Sequence, residues 1–346
     1  MQLAMIGKAR GWTPAVRLGD GRYLDVAAAT LAGLLDGAPP SSVIEILDAR
    51  FGRRTALRRL VDAVEDQRAP AIDRLNSVGG LLDAADVSLG PPIRPALILC
   101  TGGAYREHMK EMGVEPPSMP SAFLKSPRAL AGPGDTIVLP PSAPDMVDFE
   151  CEFACVFDRP CHDVSPDEAL SHVGGYTMIN DVSARDAAPA WLESLRGENP
   201  RESCALWDRN VLHKQYPTFC PLGPVVTTRD AIGDPHDVHI RTLLNGTTMQ
   251  SAHTADLHFA LADLISCFSR WFRFAPGDVL TTGSPSGVGY ARNPQRFPRP
   301  GDVVIVEGDG IGSLVNPVVA APDAGGTARM ATPTRPHAAD ARSENR

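Results

Sequence analysis

Apolar and polar residues alternate along residues 147–157 (VDFECEFACVF), and this period of two predicts a β-strand. One face of the predicted strand is entirely apolar and contains Val147, Phe149, Cys151, Phe153, Cys155 and Phe157. The other face carries Glu150 and Glu152, ~6.6 Å apart along the strand, followed by the small residues Ala154 and Val156. The pattern predicts two neighbouring carboxylates in a partly buried place, and a solvent-facing acidic edge is the alternative from this stretch alone.

The tripeptide Pro-Gly-Asp occurs at residues 133–135, 276–278 and 300–302, each time before an apolar run rich in β-formers. Proline and glycine suit the two central positions of a turn, so each copy predicts a turn that leads into a strand. Two helices are predicted between these strands. The first begins at Ser165 with a capping box that Glu168 completes. The second carries an apolar stripe of Leu257, Leu261, Leu264, Phe268 and Trp271.

The pattern changes at a Pro-rich junction in residues 89–95, which divides the chain into three predicted segments. Residues 1–92 are predicted to form a small α+β domain with one hairpin and with helical periodicity over residues 41–67. Residues 93–320 are predicted to form a strand-rich catalytic domain with few helices. Residues 321–346 contain almost no large apolar residues and are predicted to be a disordered tail. The predicted fold class is therefore α+β and mostly β.

The composition argues against several classes of protein. The chain has 346 residues, 43% hydrophobic and 21% charged, enough for a sizeable core. Its net charge of -8 argues against nucleic acid or an anionic membrane as a partner. We expect no secretory signal and no membrane span, because the first residues lack a basic then apolar pattern and no run approaches ~20 apolar residues. The seven cysteines lack framework spacing, so we expect reduced thiols and a cytoplasmic location.

A third carboxylate completes a candidate metal site. Asp181 directly follows the predicted strand YTMIN and is the next candidate oxygen ligand after Glu150 and Glu152. Two close carboxylates in a partly buried place repel unless one is protonated or a cation lies between them. Three carboxylates completed by water or substrate oxygens describe an octahedral site for Mg²⁺ or Mn²⁺.

Residues 148–186 (DFECEFACVFDRPCHDVSPDEALSHVGGYTMINDVSARD) resemble the core of the fumarylacetoacetate hydrolase superfamily, in its acylpyruvase and 2-hydroxyhepta-2,4-diene-1,7-dioate isomerase-like branch. Further similar segments follow the order of that family: YREHMKEMG (105–113), PSAFLKSPRALAGPGDTIVLP (120–140), KQYPTFCPLGPVV (214–226), LLNGTTMQ (243–250), PGDVLTTGSPSGVG (276–289) and GDGIGSLVNPVV (308–319). The resemblance implies a mixed β-sandwich roll or β-barrel-like core, and a homodimer.

The same resemblance implies roles for individual residues. Glu150, Glu152 and Asp181 match the metal ligands of the family. His108 and Glu111 match its H-x-x-E pair, in which glutamate orients an imidazole that activates water, on a segment that acts as a mobile lid in some relatives. Without the resemblance, a His/Glu pair at this spacing is typical of an exposed surface pair.

Lys214 matches a family lysine that contacts the substrate anion or the developing enolate. The remaining substrate contacts implied by the resemblance are Lys125, Thr218 and Ser284. Arg185 and Asp186 are expected to brace the loop that carries Asp181 rather than to touch substrate.

The predicted function is divalent-metal-dependent hydrolysis of a C–C bond in a 2,4-dioxo acid, an acylpyruvate-like small molecule. Two alternatives remain: decarboxylation or isomerisation of a 2-oxo or dienol acid on the same metal site, and metabolite binding without turnover. The second alternative is favoured by three departures from the family pattern, at Ala104, Ala188 and Pro217. These departures remove polar groups from the expected rim of the pocket, so the resemblance does not identify the substrate.

Overall fold

The computed structural model describes residues 1–9, 11–187 and 211–322. Nineteen strands lie within these ranges: β1 Gln2–Lys8, β2 Gly11–Arg17, β3 Tyr23–Asp25, β4 Leu81–Leu82, β5 Leu89–Gly90, β6 Ile98–Gly102, β7 Ser121–Lys125, β8 Leu130–Ala131, β9 Ile137–Leu139, β10 Val147–Asp148, β11 Cys151–Phe157, β12 Val173–Asn180, β13 Ser183–Ala184, β14 Cys220–Thr228, β15 His239–Leu244, β16 Thr247–His253, β17 Val279–Thr281, β18 Val303–Gly308 and β19 Gly312–Ala320. The α-helices of the same ranges are α1 Val26–Leu31, α2 Val43–Leu47, α3 Arg53–Glu65, α4 Ala69–Ser77, α5 Arg106–Met112, α6 Pro166–Ala169, α7 Arg229–Ile232 and α8 Leu261–Ser269.

Twelve strands form one large mixed sheet. Its order is β4-β3-β2-β1-β14-β12-β11-β17-β6-β7, with β5 paired to β1 and β8 paired to β14. A second sheet has the order β16-β15-β18-β19-β9, and β10 pairs with β13 alone. The predicted α+β, mostly β class is confirmed, and the sheets of the described residues do not close into a barrel.

The N-terminal strands belong to the large sheet. β1 pairs antiparallel with β14, with Gln2 opposite Thr227 and Leu3 opposite Val226. β2 and β3 form the expected hairpin. Residues 1–92 therefore extend the sheet of the segment that follows, and a domain boundary at residue 92 stays a prediction.

Two apolar clusters pack against β11 from opposite faces. Phe153 and Cys155 join a cluster that includes residues of α8 and of the second sheet. Ala154 and Val156 join a second cluster with residues of α2 and α3. The alternation predicted for this strand is therefore real, but both of its faces are core, and Glu152, the second residue of the strand, is only 1% exposed.

The three Pro-Gly-Asp turns share one geometry. Gly134, Gly277 and Gly301 have φ values of +82°, +90° and +94°, the left-handed region that glycine adopts without strain. In each turn the aspartate side chain accepts a hydrogen bond from the backbone N–H three residues earlier, at 2.7–2.8 Å. The turns lead into β9, β17 and β18, as the recurrence predicts.

Three sequence predictions about elements need correction. The strand predicted over residues 147–157 breaks at Phe149 and Glu150, because the N–H groups of Glu150 and Cys151 donate to the side-chain oxygens of Asn180 and Gln250 instead of to a strand. The helical stretch 41–67 is two helices, α2 and α3, separated by a turn and by Gly52 in the left-handed conformation. The predicted stripe runs only from Leu261 to Phe268 on α8, since Leu257 lies before the helix and Trp271 lies beyond it, 61% exposed.

Several predictions fall outside the described residues, including the departure at Ala188 and nearly all of the predicted tail. No helix of the described ranges combines the length and the apolar character that crossing a membrane requires. The homodimer stays a prediction.

Candidate active site

Three acidic residues meet where β11 begins and β12 ends. The two strands run antiparallel with Cys151 opposite Asn180, so Glu150, just before β11, lies beside Asp181, just after β12. The Asp181 N–H donates to the Glu150 carbonyl at 2.9 Å and fixes this junction. Glu150, Glu152 and Asp181 are 6%, 1% and 0% exposed, which rules out the acidic-edge alternative. The carboxylates predicted to share one site are thus buried around one junction.

Two buried lysines neutralise part of this charge. The Lys214 ammonium lies 2.8 Å from Glu150 Oε2 and 2.6 Å from Asp181 Oδ2, and its third hydrogen bond goes to Ser183 Oγ at 2.7 Å. Lys125 binds the other Asp181 oxygen and the Val182 carbonyl. Burial by itself lowers the pKa of Lys214, but Asp181 and Glu150 raise it above its ordinary value. Lys214 therefore stays protonated, with its three donors engaged.

Arg185 supports Glu150 from the other side. Its guanidinium donates to Glu150 Oε1 at 2.5 Å and to Asp148 Oδ2 at 3.1 Å. Burial by itself raises the pKa of Glu150, but Lys214, Arg185 and, more weakly, His108 lower it well below its ordinary value. Arg185 thus braces Glu150 rather than Asp181. The Asp186 carboxylate accepts hydrogen bonds from the backbone N–H groups of residues 145 and 146, just before β10.

Glu152 is the least compensated of the three carboxylates. Its Oε2 atom is buried and has no hydrogen-bond partner among the described residues. Burial, followed by the charges of Asp181 and Glu150, raises the pKa of Glu152 well above its ordinary value. A buried carboxyl in this position is protonated unless a cation stands beside it. The orphan oxygen is the strongest sign in the structure that a cation belongs here.

The donor set fits a divalent cation. Among the described residues, one ligand atom each of Cys100, Glu152 and Asp181 lies within 4.8 Å of the others. Burial, with Asp181 and Glu152 nearby, raises the pKa of the Cys100 thiol well above its ordinary value, so Cys100 is a protonated neighbour rather than a hard ligand. Glu150 lies at the edge of this group because Lys214 and Arg185 hold its oxygens. Glu152, Asp181 and Glu150 would supply the carboxylate oxygens that hard cations prefer.

The predicted His–Glu dyad is formed. His108 and Glu111 lie one turn apart on α5, and His108 Nδ1 is 3.0 Å from Glu111 Oε2. A carboxylate can only accept, so Nδ1 carries the hydrogen and Nε2 is left free to take a proton. Glu111 also accepts from the Gly287 N–H at 2.9 and 3.1 Å. The two side chains are 18% and 22% exposed, so the dyad lies at the rim of the buried cluster.

The remaining predicted substrate contacts have different surroundings. Ser284 is buried and accepts from the Gln250 amide at 3.0 Å, in the loop that also carries Gly287. The Thr218 hydroxyl accepts from the Val138 N–H at 2.9 Å, and the described contacts do not join it to the carboxylates. Lys125 is tied to Asp181 rather than open to substrate. Substrate contact by these three residues stays a prediction.

Sequence reasoning missed several residues that shape the site. Gln250 joins Ser284 to the Cys151 N–H and the Thr242 hydroxyl. The Phe123 ring lies 5.1 Å from the Lys214 ammonium. His213 is 3% exposed, and burial together with Lys214 lowers its pKa to about 2, so it is neutral. The signal that the sequence offered was position: Phe123 and Gln250 lie in the recognised segments 120–140 and 243–250, and His213 directly precedes the segment 214–226.

Known proteins resemble this chain over most of its length. The family described as fumarylacetoacetate (FAA) hydrolase C-terminal matches residues 97–319. The chain is 38% identical over 231 residues to the Homo sapiens protein named oxaloacetate tautomerase FAHD2B, mitochondrial, covering 67% of this chain and 69% of that one. That name places the relative in mitochondria, and a cytoplasmic location for this chain stays a prediction.

Solved structures agree with the sequence match. Fumarylacetoacetate hydrolase from Exiguobacterium antarcticum has a TM-score of 0.72 at 29% identity. 5-Carboxymethyl-2-hydroxymuconate delta-isomerase from Mycobacterium smegmatis has a TM-score of 0.64 at 30% identity. Each comparison covers 93% of this chain and all of the other. The buried carboxylates, the His108–Glu111 dyad and these matches together show that the chain belongs to the fumarylacetoacetate hydrolase family of enzymes.

Proposed function

We propose that this enzyme catalyses keto–enol tautomerisation of a 2-oxo dicarboxylate such as oxaloacetate, with Mg²⁺ or Mn²⁺ at the buried carboxylates. The observation that carries the proposal is the hydrogen-bonded His108–Glu111 pair, which leaves a free imidazole nitrogen at the rim of a charged, buried cluster. The 38% identical human relative, named an oxaloacetate tautomerase, supports this reaction rather than hydrolysis as the first choice.

The charge of the cluster suits an anionic substrate. Four carboxylates (Asp148, Glu150, Glu152 and Asp181) and three cationic side chains (Lys125, Lys214 and Arg185) leave one net negative charge when all are ionised. A divalent cation would turn this into one net positive charge and would stabilise the negative charge of an enolate oxygen. The site then attracts the carboxylate end of a 2-oxo acid.

The dyad supplies the proton transfer. His108 Nε2 takes a proton from the carbon next to the oxo group, and Glu111 stabilises the imidazolium through Nδ1. Return of this proton to the substrate oxygen completes the change from keto to enol, and the reverse sequence gives the keto form. Lys214 acts mainly through its charge, because its three N–H donors are engaged by Glu150, Asp181 and Ser183.

Hydrolytic C–C cleavage of an acylpyruvate is the second candidate. The same free Nε2 of His108 can take a proton from water, which then attacks the carbonyl distant from the acid. Pyruvate would leave as its enolate, next to the cluster. The likeness to the hydrolase from Exiguobacterium antarcticum supports this candidate.

One parallel assay distinguishes the two reactions. Metal-free protein, with or without added Mg²⁺ or Mn²⁺, is given oxaloacetate and an acylpyruvate; the enol is followed by its ultraviolet absorbance and pyruvate by mass spectrometry. We expect metal-dependent interconversion of oxaloacetate forms, reduced 10²–10⁴-fold in His108→Ala. His253→Ala is the matched control, because His253 is 44% exposed and its ring contacts, among the described residues, Asp237 and the Ala255 N–H rather than any residue of the active site. Pyruvate release from the acylpyruvate without tautomerisation supports the hydrolase, and neither activity despite bound metal contradicts both.

A further inference from the structure

A cleft of about 390 Å³ lies outside the carboxylate cluster and the dyad. Its wall is partly apolar, with Leu244, Met249 and Pro294, and two arginines, Arg292 and Arg296, also line it. The volume falls in the range of small-molecule sites, which combine apolar walls with a few polar anchors. None of the residues with a role in the proposed reaction lines this cleft.

The charges of the two arginines are poorly compensated. Arg292 donates to the carbonyls of Gly287 and Met249, and within the described ranges no carboxylate pairs with it. Arg296 approaches Asp302 only to 4.0 Å, while Asp302 already accepts from Asn245 at 2.7 Å and from the Arg299 N–H at 2.8 Å. Guanidinium groups bind carboxylate and phosphate oxygens in pairs. The cleft therefore offers two anion anchors beside an apolar wall.

Gly287 joins this cleft to the active-site rim. Its carbonyl accepts from Arg292 Nε at 3.2 Å, while its N–H donates to the Glu111 carboxylate that orients His108. The residue is confined, since φ is +97° and a Cβ here would lie 2.4 Å from the Met249 carbonyl oxygen. An anion that draws the Arg292 guanidinium away from these carbonyls would alter the backbone that holds Glu111.

We propose that this cleft binds a small organic or inorganic anion with at least two charged oxygens, a dicarboxylate or a phosphate, and that its occupancy is transmitted to the dyad through Arg292 and Gly287. The binding site is separate from the active site and does not depend on which reaction the enzyme catalyses.

Calorimetric titration of the metal-free full chain at physiological ionic strength tests the site, with malonate, citrate and inorganic phosphate in separate arms. We expect at least one of these anions to bind with a Kd of about 1 mM or tighter. The arm that binds identifies the ligand as carboxylate or phosphate. Arg292→Gln should weaken binding at least tenfold and Arg296→Gln several-fold, whereas Lys110→Met, which removes a 78% exposed cation on α5, should leave binding unchanged. Arg296→Gln keeps the test valid if Arg292→Gln loosens the Gly287 loop. Among the described residues the Arg296 guanidinium makes no hydrogen bond to that loop, and the substitution keeps the Arg296 backbone N–H that donates to the Gly289 carbonyl at 3.1 Å.

No binding by any of the three anions, binding as tight as wild type in both arginine variants, or loss of binding in Lys110→Met would overturn the site. The coupling is tested in the same titration by the imidazole NMR signals of His108, assigned with His108→Ala. These signals should move in step with binding in the wild type and move less, in proportion to the lower occupancy, in Arg296→Gln at the same anion concentration. Unchanged His108 signals at saturation would overturn the coupling. Neither readout involves turnover, so failure of this proposal is distinguishable from failure of the proposed reaction.

Discussion

The floor and the rim of the active site are built in opposite ways. The floor consists of buried charges, with Lys214 held between Glu150 and Asp181 and with one Glu152 oxygen lacking a hydrogen-bond partner among the described residues. The rim consists of His108 and Glu111, partly exposed on the short helix α5. The floor is fixed by the two strands of the sheet and sets the electrostatic potential, whereas the rim depends on one helix and one loop and supplies the proton transfer. Mutations in the two regions should therefore affect different quantities.

The largest effect on stability is expected from Lys214→Met. Removing this ammonium leaves Glu150 and Asp181 buried with one partner fewer each, which typically costs about 3–5 kcal/mol in the free energy of unfolding. Added Mg²⁺ or Mn²⁺ should restore part of the loss. Chemical unfolding with and without metal measures both effects. Lys110→Met is the control, since its side chain is 78% exposed, and a loss as small as in that control would contradict the account of the floor.

His108→Ala should lower activity strongly and stability little, the reverse of what we expect for Lys214→Met. Activity falls 10²–10⁴-fold because the proton acceptor is lost, while the free energy of unfolding changes by less than about 1 kcal/mol because the side chain lies at the rim. Steady-state kinetics and unfolding on the same preparation separate the two quantities. A variant that loses stability in proportion to activity would show that the rim belongs to the structural core.

Glu152→Gln should change the dependence on pH and on metal. The raised pKa of Glu152 means that the folded protein keeps a proton that the unfolded chain releases near its ordinary pKa of 4.5. The contribution of this group to stability is therefore greatest below that value and falls as pH rises through the raised pKa.

In the metal-free protein, Glu152→Gln should remove this fall and weaken Mg²⁺ binding. Wild-type protein should release a proton from Glu152 on binding Mg²⁺, and the variant should release about one proton fewer. Calorimetry in buffers of different ionisation enthalpy counts these protons. Equal proton release by the two proteins would show that Glu152 is already ionised without metal.

Glu111→Gln should have the smallest effect. A neutral amide still accepts from the Gly287 N–H but no longer stabilises a charged His108, so we expect kcat to fall about tenfold, or ~1.4 kcal/mol. Glu107→Gln, on the same helix and 63% exposed, is the matched control. The pH profile of kcat, compared between the two variants, tells an electrostatic role from a structural one. Equal pH profiles of kcat in the two variants would show that Glu111 does not stabilise the charged form of His108.

The sequence was informative where chemistry and local pattern coincide. The Pro-Gly-Asp turns, the Ser165 capping box and the position of Asp181 at a strand end all follow from rules that act over a few residues. The pairing of His108 with Glu111 follows from helical spacing together with the family resemblance.

Contacts between distant segments could not be predicted in this way. The break at Glu150 requires Asn180 and Gln250, and the engagement of all three Lys214 donors requires Ser183. These partners lie 30 or more residues away along the chain. Alternation likewise predicts which residues share a face, but not that both faces of β11 are covered.

The most direct test of the central claim follows the exchange of carbon-bound hydrogen next to the oxo group of oxaloacetate in D₂O by NMR. We predict exchange well above the uncatalysed rate, dependent on Mg²⁺ or Mn²⁺, lost in His108→Ala and kept in His253→Ala, without formation of pyruvate. Exchange at the uncatalysed rate in the metal-loaded enzyme, or equal exchange in His108→Ala, would contradict the account that the rim moves a proton above a charged floor.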